Sequence, residues 1–119
     1  MAKKILVVDD EESILDAVKL ILEDEGFLVK AIFKGDEVYK EVEKFNPDLI
    51  LLDVLMSGKD GRTISKNLKS IEKTKNIPVI MISAHPTASE TLKEYKADDF
   101  LAKPFKVDEL LEILEKYLN

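Results

Sequence analysis

The chain has 119 residues, of which 45% are hydrophobic and 35% charged, and its formal net charge at pH 7 is -6. This length predicts a single domain over residues 1–119, and the acidic balance argues against binding to nucleic acid or to an anionic membrane surface. Cysteine is absent, which excludes disulfides and thiolate metal sites, and no apolar run has the length of a membrane span or the pattern of a signal peptide, so we expect a cytoplasmic protein.

Five short apolar segments predict β-strands. In chain order they cover residues 5–8, 27–29, 49–52, 79–82 and 100–102. The first, third and fourth are continuous apolar runs rich in β-branched residues, which is typical of strands buried on both faces. The second and fifth are shorter and flanked by charge, so we expect them at the edges of the sheet.

Between these segments the apolar residues recur at the spacing of an α-helix. Five helices are predicted, and their apolar faces are Ile14, Val18 and Ile21; Val38, Val42 and Phe45; Ile64, Leu68 and Ile71; Ala88, Leu92 and Tyr95; and Val107, Leu110, Leu111 and Leu114. Gly26 follows the first helix as a predicted C-cap. Five strands that alternate with five helices through short loops predict an α/β fold, with a parallel sheet covered on both faces.

Polar side chains follow the predicted buried strands. Asp9 and Asp10 come after the first strand, Asp53 after the third, Ser83 after the fourth and Lys103 after the fifth. Open parallel sheets bind ligands beyond the carboxyl ends of their strands, so these side chains are expected to share one site. Carboxylates about 5 Å apart repel by about 3 kcal/mol at an effective dielectric constant of ~20, which calls for a cation. Mg²⁺ fits best, because it accepts one or two carboxylates, keeps waters and leaves positions for phosphate oxygens.

A purely structural interpretation competes with this site. A single acid at a strand end is more often a helix N-cap or a solvated loop residue, and the acids at 9–12 would favour the positive end of the first helix dipole. Acids at the ends of two separate buried strands and a lysine at the end of a third favour a site. The Lys103-Pro104 junction also allows a cis peptide bond that would aim the amine.

Four motifs resemble the response regulator receiver domain, in the right order and over the whole chain. They are VVDDE at 7–11, LLDVLM at 51–56 followed by DG at 60–61, PVIMISA at 78–84 and ADDFLAKPF at 97–105. The resemblance implies a flavodoxin-like, doubly wound five-stranded parallel sheet of order 2-1-3-4-5, with five helices on its two faces. It also implies that Asp60 and Gly61 set the geometry of their loop.

The resemblance further implies the chemistry of the site. Asp53 would be the phospho-acceptor, which attacks a phosphohistidine of a partner and becomes an aspartyl phosphate. Mg²⁺, for which Mn²⁺ could substitute, would be held by Asp10, by Asp53 and by the backbone carbonyl of Leu55, while Asp9 acts through water. Lys103 would neutralise charge on the transferring phosphoryl group.

The same resemblance implies a switch and a means of tuning it. Ser83 would donate its hydroxyl to the bound phosphoryl group, and Phe100 would fill the vacated space as the aromatic switch residue. Two positions that tune dephosphorylation in the family fall on Leu55 and on His85, for which a solvated loop histidine is an equally good interpretation. Lys96 stands where the family has glycine, which puts the tightness of the turn into the fifth strand in doubt.

These residues together indicate a phosphorylatable response regulator of a two-component system or phosphorelay, resembling the single-domain regulators of chemotaxis and sporulation relays. Its expected upstream partner is a sensor histidine kinase or a histidine phosphotransfer protein. The face that docks such partners in the family falls on Ile14, Ala17, Pro104 and Phe105, although helical spacing alone favours a core position for Ile14. Output is expected through a protein target bound to the surface of the fourth helix, fifth strand and fifth helix, with no attached effector domain. We expect no turnover on external substrates, only assistance to the protein's own phosphotransfer and autodephosphorylation.

Three other classes of protein compete with this interpretation. A flavin-binding electron carrier of the same fold needs a Ser/Thr/Gly-rich phosphate loop, and the acids at 9–12 would repel the phosphate. An aspartyl-phosphate hydrolase needs a second acid two residues after the first, where this chain has Leu55. A receiver-like module that is never phosphorylated is the runner-up, and it would typically have lost an acid or the lysine that this chain keeps.

Overall fold

Five parallel strands form the central sheet of the computed structural model, which describes residues 2–56, 59–84 and 96–118. The strands are β1 (Lys4–Val8), β2 (Leu28–Ile32), β3 (Leu49–Asp53), β6 (Val79–Ser83) and β7 (Asp99–Ala102). They lie in the order β2-β1-β3-β6-β7, and every neighbouring pair is parallel. Counted within this sheet, the order is 2-1-3-4-5, so the predicted topology and the predicted edge positions of β2 and β7 are confirmed.

A short antiparallel hairpin stands apart from the main sheet. Its strands are β4 (Leu55–Met56) and β5 (Lys59–Asp60), which pair Leu55 with Asp60. The hairpin joins the end of β3 to the helix that follows, and the apolar spacing of the sequence carries no signal for it.

The part of the chain that the structure describes contains four α-helices. They are α1 (Glu12–Asp24), α2 (Val38–Phe45), α3 (Gly61–Ser70) and α4 (Val107–Leu118), and a single 3₁₀ turn (Gly35–Glu37) precedes α2. The fourth predicted helix, placed on Ala88, Leu92 and Tyr95, lies outside the described residues, so α4 corresponds to the fifth predicted helix. Among the described helices, none is long and apolar enough to cross a membrane.

The sheet separates two hydrophobic clusters, because successive side chains of a strand point to opposite faces. In β3, Leu49 and Leu51 pack on the face that α1 and α4 cover, whereas Ile50 and Leu52 pack on the face that α2 and α3 cover. Both faces of the sheet are therefore dry, which explains why the central strands are continuous apolar runs.

Two predicted helix faces are correct only in part. The fully buried residues of α1 are Leu15, Val18 and Leu22, whereas Ile14 and Ile21 are half-buried and pack against the core cluster that these residues form. Helix α1 carries two overlapping apolar stripes that share Val18, and spacing alone does not say which one faces the sheet. Helix α3 ends at Ser70, so Ile71 adopts an extended conformation and is 43% exposed.

Two of the three left-handed residues in the described chain, Gly26 and Lys96, lie in the turns that lead into β2 and β7. Gly26 has φ 96°, its N–H donates to Glu23 O, and the N–H of Phe27 donates to Leu22 O, which confirms the predicted C-cap as a Schellman motif. Lys96 has φ 60°, so this lysine adopts the conformation that the family's glycine would take. A side chain costs about 1–2 kcal/mol in that region, so the turn into β7 is kept at some expense.

Candidate functional site

The carboxyl ends of four parallel strands bring the predicted site residues to one edge of the sheet. Asp9 and Asp10 follow β1, Asp53 ends β3, Ser83 ends β6 and Lys103 follows β7. Backbone pairing sets their relative positions, because Asp53 lies opposite Ile82 and the N–H of Lys103 donates to Ser83 O at 2.8 Å. The expectation that these side chains share an edge of the sheet follows from this register.

Three carboxylates form the centre of the site. Asp9, Asp10 and Asp53 each offer an oxygen within 4.8 Å of the others. Asp9 is fully buried and Asp53 is 5% exposed, whereas Asp10 is exposed. Oxygen ligands at this spacing, with one open side, suit a hard divalent cation that keeps some of its waters.

Lys103 is the cation among these acids. Its Nζ lies 2.8 Å from Asp9 Oδ2, 3.6 Å from Asp53 Oδ2 and 3.6 Å from Glu11 Oε1. Burial lowers the pKa of Lys103, but the contacts with these three carboxylates outweigh it and raise the pKa above its usual value. The ammonium is therefore charged at neutral pH and offsets only part of the surrounding negative charge.

The negative charge that Lys103 does not offset affects the protonation of Asp53. Burial, together with the neighbouring Asp9 and Asp10, raises the pKa of Asp53 from 3.8 to about 7 against the opposing effect of Lys103. Without another cation, Asp53 keeps a proton that an exposed aspartate would have lost. The donor set therefore fits a divalent cation, whose charge would replace that proton.

Asp9 serves two neighbours at once. Its Oδ1 accepts the backbone N–H of Glu11 at 3.0 Å, and its Oδ2 faces the ammonium of Lys103. It thereby fixes the turn from β1 into α1 and holds the lysine beside Asp53. Asp10 instead lines an open cleft of about 440 Å³ together with Phe33, Lys34 and Asp36.

The segment after Asp53 packs tightly against helix α3. The N–H of Gly61 donates to Val54 O at 2.7 Å, and a Cβ on Gly61 would lie 2.0 Å from Asp53 O. Asp60 caps α3 by accepting the N–H of Arg62 at 2.9 Å, and it also holds the Arg62 guanidinium at 2.7 Å. The hydrogen bond from Arg62 is the main reason that the pKa of Asp60 lies below its usual value.

The structure also locates the other predicted residues. Ser83 is buried at the end of β6, and Leu55 is 51% exposed in the hairpin. Phe100 is half-buried and packs against Val54 and Met81, which connects its ring to the residue that follows Asp53. His85 lies outside the described residues.

A mainly apolar groove of about 500 Å³ runs between α1 and the loop that follows β7. Its walls include Ile14, Ala17, Pro104 and Phe105, and Lys103 of the acidic site also lines it. The four residues that the resemblance assigned to a docking face are thus brought together, with Ile14 at the surface of the groove. The Lys103-Pro104 peptide bond is cis.

Sequence reasoning missed two contributors to this site. Glu11 faces Lys103, and the sequence signal was only its place in the acidic run after β1. Gly61 is needed for close packing, whereas its sequence motif indicated only loop geometry. Neither role is visible without the three-dimensional distance, to Lys103 for Glu11 and to the carbonyl of Asp53 for Gly61.

The sequence model of the response regulator receiver domain matches residues 5–115. PhoB of Rhizobium meliloti (strain 1021), a phosphate regulon transcriptional regulatory protein, is 36% identical over 121 aligned residues, which cover 100% of this chain and 53% of PhoB. The chain therefore spans about half the length of that curated relative.

Solved structures share the fold over nearly the whole chain. One is the crystal structure of a protein of Chloroflexus aurantiacus J-10-fl that is described as a response regulator. Its TM-score is 0.94 and its identity 31%, and the match covers 99% of this chain and 98% of the Chloroflexus chain. The chemotaxis protein CheY4 of Vibrio cholerae has a TM-score of 0.92 and 29% identity. The match covers 98% of this chain and 99% of the CheY4 chain.

Proposed function

Because the chain belongs to the response regulator receiver domain family, we propose that it accepts a phosphoryl group on Asp53 from a phosphohistidine of a partner protein. The observation that carries this proposal is the cluster of Asp9, Asp10 and Asp53, with carboxylate oxygens within 4.8 Å of one another, and Lys103 Nζ 3.6 Å from Asp53. An acceptor carboxylate, oxygen ligands for a cation and a fixed ammonium are the parts that phosphoryl transfer by positioning requires.

Asp53 is the nucleophile in this proposal. One of its carboxylate oxygens forms a bond to phosphorus while the bond between phosphorus and the partner's imidazole nitrogen breaks, which leaves an acyl phosphate on Asp53. The ammonium of Lys103 neutralises charge on the phosphoryl oxygens as they move between the two groups. Asp9 keeps that ammonium in place through its Oδ2.

Magnesium, or manganese in its place, fits the donor set. Asp10, Asp53 and the backbone carbonyl of Leu55 would hold the ion, and Asp9 would act through water. Once bound, it supplies positive charge that favours the ionised form of Asp53 and binds phosphoryl oxygens. The need for such charge follows from the raised pKa of Asp53.

Phosphorylation would alter the output surface through residues of the neighbouring strands β6 and β7. Ser83 donates its hydroxyl to the phosphoryl group, and Phe100 shifts as the loop after Ser83 moves inward. The contact of Phe100 with Val54, the residue after Asp53, supports this role for its ring. Leu55, exposed beside the site, shields the acyl phosphate from water and tunes its lifetime, a role in which His85 would share.

The partners follow from two surfaces. The groove lined by Ile14, Ala17, Pro104 and Phe105 also includes Lys103, whose Nζ lies 3.6 Å from Asp53, so it suits an apolar helix that presents a phosphohistidine to Asp53. A sensor histidine kinase or a histidine phosphotransfer protein carries such a helix. The output surface comprises β7, α4 and the predicted helix between β6 and β7, and it binds a protein target. We propose that the domain acts in the cytoplasm, without contact to nucleic acid or membrane and without turnover of external substrates.

Incubation with acetyl phosphate and Mg²⁺, followed by intact mass spectrometry, tests this function. We expect wild-type protein to gain one phosphoryl group, Asp53→Asn to gain none, and Asp24→Asn, which changes an exposed acid at the end of α1, to behave as wild type. A wild-type protein that gains no phosphoryl mass would favour the runner-up, a receiver-like module that is never phosphorylated. An Asp53→Asn variant that gains the mass equally would show that Asp53 is not the acceptor and would refute the proposal.

A thermal melt tests the cation separately. Saturating Mg²⁺ should raise the melting temperature of wild-type protein, because the ion binds only the folded state, and Asp10→Ala should abolish that gain. An unchanged melting temperature in saturating Mg²⁺ would count against the metal site.

A further inference from the structure

A lysine far from the acidic cluster is held almost entirely inside the protein. Lys69 of α3 is 10% exposed, and its Nζ donates to Asp98 Oδ2 at 2.6 Å and to Ile77 O at 2.7 Å. The same Oδ2 accepts the N–H of Val79 at 2.8 Å, and the N–H of Asp98 donates to Val79 O at 2.9 Å. These contacts tie α3, the start of β6 and the residue before β7 into one unit, which we call the β7 anchor (Lys69, Ile77, Val79 and Asp98).

Strand β7 depends on such an anchor more than the three interior strands of the sheet do. It has four residues and lies at the edge of the sheet, where its pairing partner among the described strands is β6. Sliding or tilting of an edge strand is resisted on one side only, by hydrogen bonds to that neighbour and by side-chain contacts at its ends. Tyr117 adds to the hold, because its hydroxyl lies 2.9 Å from Asp98 O and 2.8 Å from Asp99 Oδ2.

The opposite end of β7 carries Lys103. A strand of four residues is roughly 13 Å long, so the two ends are separated by the strand itself. Each end of β7 has a lysine–aspartate ion pair: Lys69 with Asp98 at the start, and Lys103 with Asp9 after the end. The backbone N–H of Lys103 donates a hydrogen bond to Ser83 O, so the position of its ammonium depends on the register of β7 against β6.

We infer that Lys69 is a positioning residue for phosphoryl transfer, which acts by anchoring the start of β7 so that Lys103 stands at a fixed place beside Asp53. This inference rests on the proposed function for its reaction. Lys69 touches neither the acids nor the phosphoryl group, so its effect passes through Lys103. Reactions that depend on positioning are sensitive to displacements of about 1 Å, so loosening β7 should slow the transfer without removing any reacting group.

A double-mutant cycle on the phosphorylation rate tests this directly. The initial rate with acetyl phosphate and Mg²⁺ is measured by intact mass for wild type, Lys69→Met, Lys103→Ala and the double variant. We expect Lys69→Met to slow the reaction about tenfold in the wild-type background and to have no further effect once Lys103 is gone. Lys66→Met, an exposed lysine on the same helix, should match wild type.

Two results would overturn the inference. One is a Lys69→Met rate equal to that of Lys66→Met, and the other is an equal loss of rate with and without Lys103, which would indicate general destabilisation. Mg²⁺ affinity, measured by calorimetry, should stay at the wild-type value, because the carboxylates lie on β1 and β3. If Lys69→Met does not fold, Asp98→Asn removes the same ion pair and is used in its place.

Amide hydrogen exchange separates this inference from the proposed function. In Lys69→Met, exchange over residues 96–103 should speed up while β1 and β3 keep their protection. Unchanged exchange over residues 96–103 would refute the anchor even if phosphorylation proceeds. A wild-type protein that takes up no phosphoryl group would refute the proposed function, and the exchange result would still decide whether Lys69 holds β7.

Discussion

Replacing Asp53 by asparagine should stabilise the metal-free protein near pH 8 and leave its stability near pH 4 almost unchanged. In the folded protein, burial and the neighbouring acids raise the pKa of Asp53 from 3.8 to about 7. In the unfolded chain, an aspartate loses its proton near pH 4. Between these two values only the folded state holds the proton, so the free energy of unfolding falls as pH rises. The stabilising contribution is fully present below about pH 4 and lost above about pH 7.

The size of this effect follows from the two pKa values. A rise from 3.8 to about 7 corresponds to about 4 kcal/mol, at roughly 1.4 kcal/mol for each tenfold change in proton affinity. The site opens to solvent at Asp10, and screening there reduces the effect to about 2 kcal/mol. Asparagine has nearly the shape of protonated aspartate and cannot ionise. The free energy of unfolding of the Asp53→Asn variant should therefore not show this decrease as the pH rises.

Urea denaturation followed by circular dichroism measures this difference at intervals between pH 4 and pH 8 in EDTA. We expect the Asp53→Asn curve to rise above the wild-type curve as pH increases, and Mg²⁺ to close the gap by stabilising wild type. Asp24→Asn controls for the loss of one exposed carboxylate. Parallel curves for wild type and Asp53→Asn over this range would refute the reasoning, because they would mean that Asp53 titrates alike in both states.

Three further substitutions test the packing around the site. Gly61→Ala places a Cβ 2.0 Å from Asp53 O. We therefore expect the free energy of unfolding, measured by urea denaturation, to fall by about 2–3 kcal/mol and Mg²⁺ to bind more weakly. Wild-type values for both would contradict the close contact. Ser65 is fully buried, and its Oγ has no hydrogen-bond partner among the residues that the structure describes. Ser65→Ala should therefore stabilise the protein by about 1 kcal/mol, seen as a higher melting temperature, and a lower one would reveal a partner for the hydroxyl. Lys96→Gly relieves a side chain at φ 60° at the cost of a more flexible unfolded chain, so a net gain of about 0.5–1 kcal/mol is expected, and a loss would show that the lysine side chain makes a compensating contact.

Strand positions could be predicted from the sequence because both faces of the sheet are covered, which makes a buried strand a continuous apolar run. The site could be predicted for a related reason: parallel strands all end at the same edge, so residues such as Asp9 and Asp53 meet whatever lies between them. In both cases a local pattern has one possible outcome in three dimensions.

The misses arise where two outcomes satisfy the same pattern. Both stripes of α1 have helical spacing, and only the packing against the sheet selects Leu15 over Ile14. Ile71 continues the apolar spacing of α3, but the helix ends one residue earlier. Lys69 is of a residue type that usually lies at the surface, and its burial depends on the ion pair with Asp98, which lies far away in the chain. No local pattern contains a pairing of that kind.

Gly61 lies directly against the carbonyl of Asp53 at the end of β3. Because Gly61 has a hydrogen in place of a Cβ, the first turn of α3 lies closer to the strand than any other residue at this position would allow. On the other side, Val54 rests on Met81 and on the half-buried ring of Phe100, which has solvent to move into. Under the proposed function, new charge on Asp53 would therefore meet close packing on the side of α3 and a partly exposed ring on the side of Phe100, so we expect the backbone to shift more easily toward β7.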